Sequence, residues 1–392
     1  MHLEKDVDDQ LLAMFELINR KYLSSDDNLR PVDLAKTISY FTLDVISKVA
    51  FGQEFGFIEN DDDPYGYIAN PQEFLPAIIV FGAYTELQKI LRLPFLKSVM
   101  PKSTDKRGLG RVMGFAADRV GERFGEKPLV RKDMLGSFIN RGLTKEQLES
   151  ETLTQITAGS DSTASALRMT LYYITTNPQV QARLLAEAND GIAAGRISRP
   201  VIKDGEARKL PYLQACIKEG LRMYPPVTGL LAKEVPREGA YIDGKFAPGG
   251  TWIAWNPWGM QRDQDIYGKD SELFRPERWL PRDSSDSERA RVDRMTETVG
   301  LVFGYGRFGC LGRGVATMEL NKGIIEVRQG SALIKPLSTD EPCPDPPPLQ
   351  PSDLQPGLSL RRTLCRFLLA YQHVIPLHGA KGREAYRLRT PA

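Results

Sequence analysis

The sequence predicts a mainly α-helical protein with small β-sheets (α+β), on three observations. Apolar residues recur at helical spacing through the front half of the chain. Strand signals gather in one short stretch, residues 241–255. At 392 residues the chain is long enough to bury a large core.

Leu11, Leu12, Phe15, Ile18 and Leu23 mark a first helix, and Val32 to Phe51 gives a second, with Leu34, Ile38, Phe41, Val45, Ile46 and Val49 on its apolar stripe. Asn60-Asp61-Asp62-Asp63-Pro64 and Lys102 to Gly110 are polar, turn-rich connectors. Thr144-Lys145-Glu146-Gln147 carries the capping-box pattern of threonine before glutamine, opening a long helix that ends near Asn177-Pro178. Glu219-Gly220-Leu221-Arg222 lies on a further helical segment, where a spacing of three puts carboxylate and guanidinium on one face. Tyr241 to Phe246 reads as a hairpin turned at Asp243-Gly244, and Thr251 to Trp255 as a strand after Pro248-Gly249-Gly250. Val315 to Leu320 starts a last helix. From Pro336 to Pro356 proline, aspartate and serine dominate, and this tract reads as disordered. The expected organisation is a folded domain over residues 1–330 and an atypical proline-rich tail over 331–392.

A net charge of +2 gives no reason to expect a nucleic-acid partner. Cys216, Cys310, Cys343 and Cys365 show no paired CxxC spacing, so neither a zinc site nor a disulfide scaffold is indicated, and a reducing, cytosol-facing location fits. The acidic, polar start, Met1 to Asp9, contains no signal peptide or anchor. The longest apolar block, Phe74 to Phe81, is too short to span a bilayer; it would rest on a membrane, line a substrate entrance, or form ordinary core.

One cysteine has a distinctive setting: Phe303-Gly304-Tyr305-Gly306-Arg307-Phe308-Gly309-Cys310-Leu311-Gly312. A lone cysteine is ordinarily a small buried apolar residue. Here Gly304, Gly306, Gly309 and Gly312 let the backbone turn tightly beside a flat macrocycle. The helix starting next would favour the thiolate through its positive N-terminal end, a setting for a proximal heme ligand. This loop resembles that of the cytochrome P-450 family. Three stretches carry the likeness closer, toward fungal microsomal members related to pisatin demethylase: Lys209 to Pro236, Phe274 to Trp279, and Gly300 to Arg313. The likeness covers roughly Asp6 to Glu326.

The resemblance implies a cytochrome P-450 fold with heme b (iron-protoporphyrin IX) held by Cys310 as axial thiolate, beside Phe303, Gly304 and Gly312. It implies a buried triad of Glu219, Arg222 and Arg278 bracing the cysteine loop. Ala158-Gly159-Ser160-Asp161-Ser162-Thr163 resembles the family's oxygen-activation segment: Ala158 and Gly159 would leave room over the iron, and Asp161, Ser162 and Thr163 would relay protons. Ser162 stands where threonine is usual. Phe308 occupies the position of the family's usual basic residue, with Arg307 one step earlier. Arg307 and Lys233 are the expected propionate partners, and Val227, Thr228 and Leu230 the expected pocket lining. A helix rich in serine, threonine and glycine is otherwise a close helix-packing seam, and both readings of that segment stay open.

The implied activity is insertion of one oxygen atom from O2 into a small lipophilic substrate, by hydroxylation, epoxidation or dealkylation, with electrons from NADPH through an NADPH-cytochrome reductase. Fungal secondary metabolism, including toxin synthesis, is the leading setting; detoxification of a plant defence compound is the alternative. The expected location is cytosolic, or peripheral on the cytosolic face of the endoplasmic reticulum, without a transmembrane anchor. Arg313 and Lys322 form a basic patch that would dock an electron donor. Both ends depart from the family: the anchor, first strands and a tryptophan-xxx-arginine clamp are missing before Asp6, and Val327-Arg328-Gln329-Gly330 replaces the expected continuation after Glu326. These breaks read as a truncated or misread gene, or a non-catalytic remnant.

Overall fold

The computed structural model describes residues 2–24, 28, 30–64, 66–68, 101–106, 108–124, 128–131, 133–229 and 232–330. The apolar block Phe74 to Phe81, the tract Pro336 to Pro356, Leu230, Cys343 and Cys365 lie outside them. Described helices are α1 (His2–Lys21), α2 (Leu34–Phe51), α3 (Phe57–Asn60), α4 (Gly108–Gly121), α5 (Met134–Asn140), α6 (Lys145–Thr175), α7 (Pro178–Ala193), α8 (Asp204–Ala207), α9 (Pro211–Met223), α10 (Pro257–Met260), α11 (Gln264–Tyr267), α12 (Asp286–Gly300) and α13 (Arg313–Gly330). The predicted mainly helical class holds.

Local chemistry fixes several ends. The Asp33 carboxylate accepts from Lys36 N to start α2, and Gly52, at φ 71°, ends it in the left-handed region. Thr144 Oγ1 accepts from Gln147 N at 3.3 Å while Gln147 Oε1 accepts from Thr144 N at 2.9 Å, the capping box that opens α6. Asp44, buried in α2, accepts from the backbone N–H groups of Gly56, Phe57 and Ile58 at the start of α3.

The 31-residue α6 is the axis of the core. It meets α2 where a Cβ on Gly159 would lie 2.8 Å from Ile46 Cδ1, α9 where one on Gly220 would meet Thr170, and α13 where one on Gly323 would lie 3.0 Å from Leu167 Cδ2. Around it pack Phe41, Val45, Leu213, Leu221, Leu320 and Ile324. The stripe expected on α2 is buried, with Leu34 only partly so. On α1 the core face is Val7, Leu11, Met14, Leu17 and Ile18; Leu12 is exposed, and Leu23 lies exposed beyond the helix end. The four-residue repeat Val7–Leu11 continued by Met14 and Ile18 outcompetes the stripe centred on Leu12.

The strands are short. β1 (Lys233–Glu234) pairs antiparallel with β4 (Trp252–Ile253), and β2 (Ala240–Ile242) with β3 (Lys245–Ala247). The second pair is the predicted hairpin, turned by Asp243 and Gly244 at φ 47° and 71°. α13 runs on through Gly330, so the segment Val327 to Gly330 continues the helix. The basic patch expected from Arg313 and Lys322 is corrected: Lys322 is fully buried and pairs with Asp8 at 2.7 Å and Glu4 at 2.8 Å, while Arg313 is exposed. Nearby, Asn321 donates to Asp204, so α1, α8 and α13 are joined through polar contacts.

Candidate active site

Glu219, Arg222 and Arg278 form an ion network with almost no solvent access. Glu219 Oε1 accepts from Arg222 Nη2 at 2.8 Å, Arg275 N at 2.8 Å and Arg278 Nε at 2.9 Å; Oε2 accepts from Arg222 Nε at 2.8 Å and Trp279 Nε1 at 2.9 Å. Glu219 and Arg222 are fully buried and Arg278 nearly so. Spare guanidinium protons go to backbone carbonyls: Arg222 to Gln261, Ser271 and Leu273, Arg278 to Tyr267, Asp270 and Leu273. This satisfaction is what makes buried charges tolerable.

The network reaches the loop through Gln261. Its backbone carbonyl receives Arg222, and its side chain takes the Tyr267 hydroxyl at 2.6 Å and donates to Thr298 O at 3.0 Å. Thr298 sits at the end of α12, one turn before the 3-10 turn Leu301–Phe303 that enters the loop. Neither Gln261 nor Trp279 was identifiable from sequence pattern; their partners are 37 and 60 residues away.

Within the loop, Cys310 N donates to Phe303 O at 2.7 Å, closing it into a hairpin-like bend. Gly304 adopts φ +75°, and a Cβ there would sit 2.5 Å from Phe308 O, so the bend admits glycine alone. Cys310 is exposed, three residues before α13. Cys216 is buried instead, and burial raises its thiol pKa, leaving Cys310 as the available thiol among the described residues. Exposed apolar groups surround Cys310: Phe308 is 52% exposed and Leu311 100%. Cations join them. Lys233 Nζ lies 4.1 Å and the Arg307 guanidinium carbon 4.7 Å from the Phe308 ring centre, and Arg313 lies 5.2 Å from that of Phe303. Among the described residues none of these three has a carboxylate within ion-pair distance. An exposed thiol, a glycine bend, open apolar surface and unneutralised cations fit a flat, apolar, iron-bearing macrocycle with carboxylate arms.

On α6, the exposed face over residues 154–169 consists of Thr154, Thr157, Ala158 and Asp161, bordered by Ser162, Ser165, Arg168 and Met169. That small, weakly charged surface differs from the glutamate-rich first turns of the same helix. Ser162 Oγ donates to Ala158 O at 2.7 Å, Ser160 Oγ to Ile156 O and Thr157 Oγ1 to Leu153 O, both at 2.8 Å. Such back-bonds compete with the helix ladder and soften it. The five predicted residues separate. Ala158, Asp161 and Ser162 share the open side, whereas Thr163 is buried on the core side. At Gly159 a Cβ would lie 2.8 Å from Ile46 Cδ1, so the close helix seam is present at this position.

Tyr67 was not anticipated. It is buried, its hydroxyl lies 3.3 Å from Ser160 Oγ, and burial raises its phenol pKa. Its backbone N–H donates to Asp63, one of the connector aspartates. In α13, burial pushes the Glu319 carboxyl well above the usual carboxylate range, and its Oε2 has no hydrogen-bond partner.

A sequence model of a family described as cytochrome P-450 matches residues 3–330. The chain is 46% identical over 330 residues to "Cytochrome P-450 monooxygenase ABA1" of Pyricularia oryzae, covering 83% of this chain and 64% of that protein. It is 40% identical over 346 residues to "Cytochrome P-450 monooxygenase aba1" of Botryotinia fuckeliana, covering 87% and 66%. To "Cytochrome P-450 monooxygenase mpaDE" of Penicillium brevicompactum it is 28% identical over 328 residues, covering 82% and 38%. The chain thus spans just under two thirds of the length of the first two. No described helix is long and apolar enough to cross a membrane.

Proposed function

Because the chain belongs to the cytochrome P-450 family, we propose that it acts as a heme-thiolate monooxygenase on a small lipophilic substrate, in a fungal secondary-metabolite pathway. The observation that carries this reading is the exposed Cys310 thiol in its glycine bend, ringed by unneutralised cations and backed by the Glu219–Arg222–Arg278 network. Cys310 holds the heme iron through its thiolate, with Phe303, Gly304 and Gly312 beside the macrocycle. Bound heme supplies the metal centre at which dioxygen is reduced and cleaved.

The protein's own residues do the rest. Arg307 and Lys233 neutralise the propionates. The buried triad and Gln261 fix the position of the loop. Ser162 holds a proton at Oγ, which its bond to the Ala158 carbonyl orients, and Asp161 on the same open face exchanges protons between solvent and that hydroxyl. Thr163, turned to the core, packs and does not relay. Val227 and Thr228 line the substrate side. Electrons come from NADPH through a reductase on the cytosolic face of the endoplasmic reticulum, a placement that rests on family membership.

The test loads the chain with hemin, reduces it under carbon monoxide and records the Soret band. The expected result is a red-shifted thiolate band that Cys310→Ser abolishes without changing the melting curve, since Cys310 is exposed. Hemin uptake with a band indifferent to the substitution would refute thiolate ligation by Cys310.

A further inference from the structure

Phe308 has no assigned task in the scheme above, yet it organises the charge around the loop. The side chain is half exposed, so it is not held there by core packing. Two cations approach it from separate parts of the chain: Arg307 from the adjacent loop position, and Lys233 from β1, where its backbone is fixed in register opposite Ile253. Both lie within cation–π range of one ring. Two like charges gathered around one ring repel each other, and among the described residues neither has a carboxylate within ion-pair distance. An anion in front of the ring would neutralise both charges at once.

We propose that Phe308 is a positioning residue whose ring aligns Lys233 and Arg307 as a two-cation clamp for the paired carboxylate arms of the bound macrocycle. The proposal rests on the heme reading and deepens it. It explains how a chain with phenylalanine two positions before the cysteine still offers two positive charges there: the ring gives up its own charge but orients two neighbours. A leucine of similar bulk would keep the apolar surface and lose the π face that holds them.

The test compares hemin with hemin dimethyl ester, whose carboxylates are blocked, by titrating each into the full chain and following absorbance and tryptophan quenching. Wild type is expected to bind hemin at least tenfold more tightly than the ester, with the preference shrinking at high salt. Phe308→Leu should cut that preference to threefold or less while leaving ester affinity, the thiolate Soret position and the melting curve unchanged. Phe308→Tyr should retain the preference. Lys233→Gln and Arg307→Gln should each reduce it, and their combination should add little further loss in the Phe308→Leu background, as expected for groups acting as one unit. A wild-type chain that binds both forms equally overturns the clamp, as does a Phe308→Leu chain that keeps full discrimination. In both cases the thiolate band persists, so failure of the clamp is separable from failure of the heme reading, in which neither form yields a band dependent on Cys310.

Discussion

Replacing Glu219 by glutamine keeps the shape of the side chain and removes its charge, and the cost follows from the bonds it makes. Five donors converge on the two carboxylate oxygens: Arg222 Nε and Nη2, Arg275 N, Arg278 Nε and Trp279 Nε1. In the less damaging orientation the new amide replaces Oε2, so its N–H groups face Arg222 Nε and Trp279 Nε1, two donors that no longer have an acceptor. Arg222 also loses its one carboxylate partner among the described residues, whereas Arg278 keeps Asp270 at 3.1 Å, and backbone carbonyls still receive part of the protons of both. Breaking a buried ion pair from one side costs about 3–5 kcal/mol, a large share of the roughly 5–15 kcal/mol that holds a typical domain folded. At about 2 °C per kcal/mol for a domain of this size, the melting temperature of Glu219→Gln should fall by about 6–10 °C. Denaturant titration of the heme-free chain reads the same loss without any contribution from heme. Lys5→Ala, which removes the solvent-exposed pair with Asp9, serves as the control and should leave the midpoint where it is. A Glu219→Gln midpoint indistinguishable from that control would refute the argument that the network is a structural brace.

Gly159→Ala should destabilise by about 1–3 kcal/mol, because its Cβ would press on Ile46; thermal melts should show the same substitution costing much less in an Ile46→Ala background than in wild type. Asp44 gives a pH signature: burial pushes its carboxyl up to about 6 despite three backbone donors. A folded-state pKa above the unfolded one means that the contribution of Asp44 to stability is fully present below about pH 4 and is lost as pH rises through about 6. The advantage of wild type over Asp44→Asn should therefore grow by up to about 3 kcal/mol between pH 7 and pH 4 in paired denaturant titrations, and a shrinking advantage would reverse the assignment. Lys322→Met leaves Glu4 and Asp8 without their cation; a lowered unfolding midpoint, partly restored by adding Asp8→Asn, is the expected outcome.

What the sequence disclosed follows from distance along the chain. The capping box of Thr144 and Gln147, the Asp243-Gly244 turn and the glycine bend before Cys310 are each complete within a few residues, so their geometry was legible. The pairing of Glu219 with Arg222 was visible at a spacing of three. Its completion by Trp279 and Gln261 was not, because those contacts exist only after distant segments pack. Gly159 shows the same limit: a glycine in a motif is ambiguous until Ile46 is found against it. Lys322 was read as surface charge because lysine usually is, and no local feature announced that two carboxylates of α1 would bury it. Thr163 and Ser162 differ in burial by one step of helical rotation, a difference that emerges only when the core side of α6 is known.

The contact between Lys322 and Asp8 also bears on the order in which the molecule is assembled. The two residues are 314 positions apart, so during synthesis α1 waits, its acidic face unmatched, until nearly the whole domain has left the ribosome. Closing so long a loop is entropically slow and comes late in folding. Cys310 emerges only twelve residues before Lys322 and just ahead of the same helix. Docking of α13 thus completes the helical core and fixes the helix that follows Cys310 in one late event.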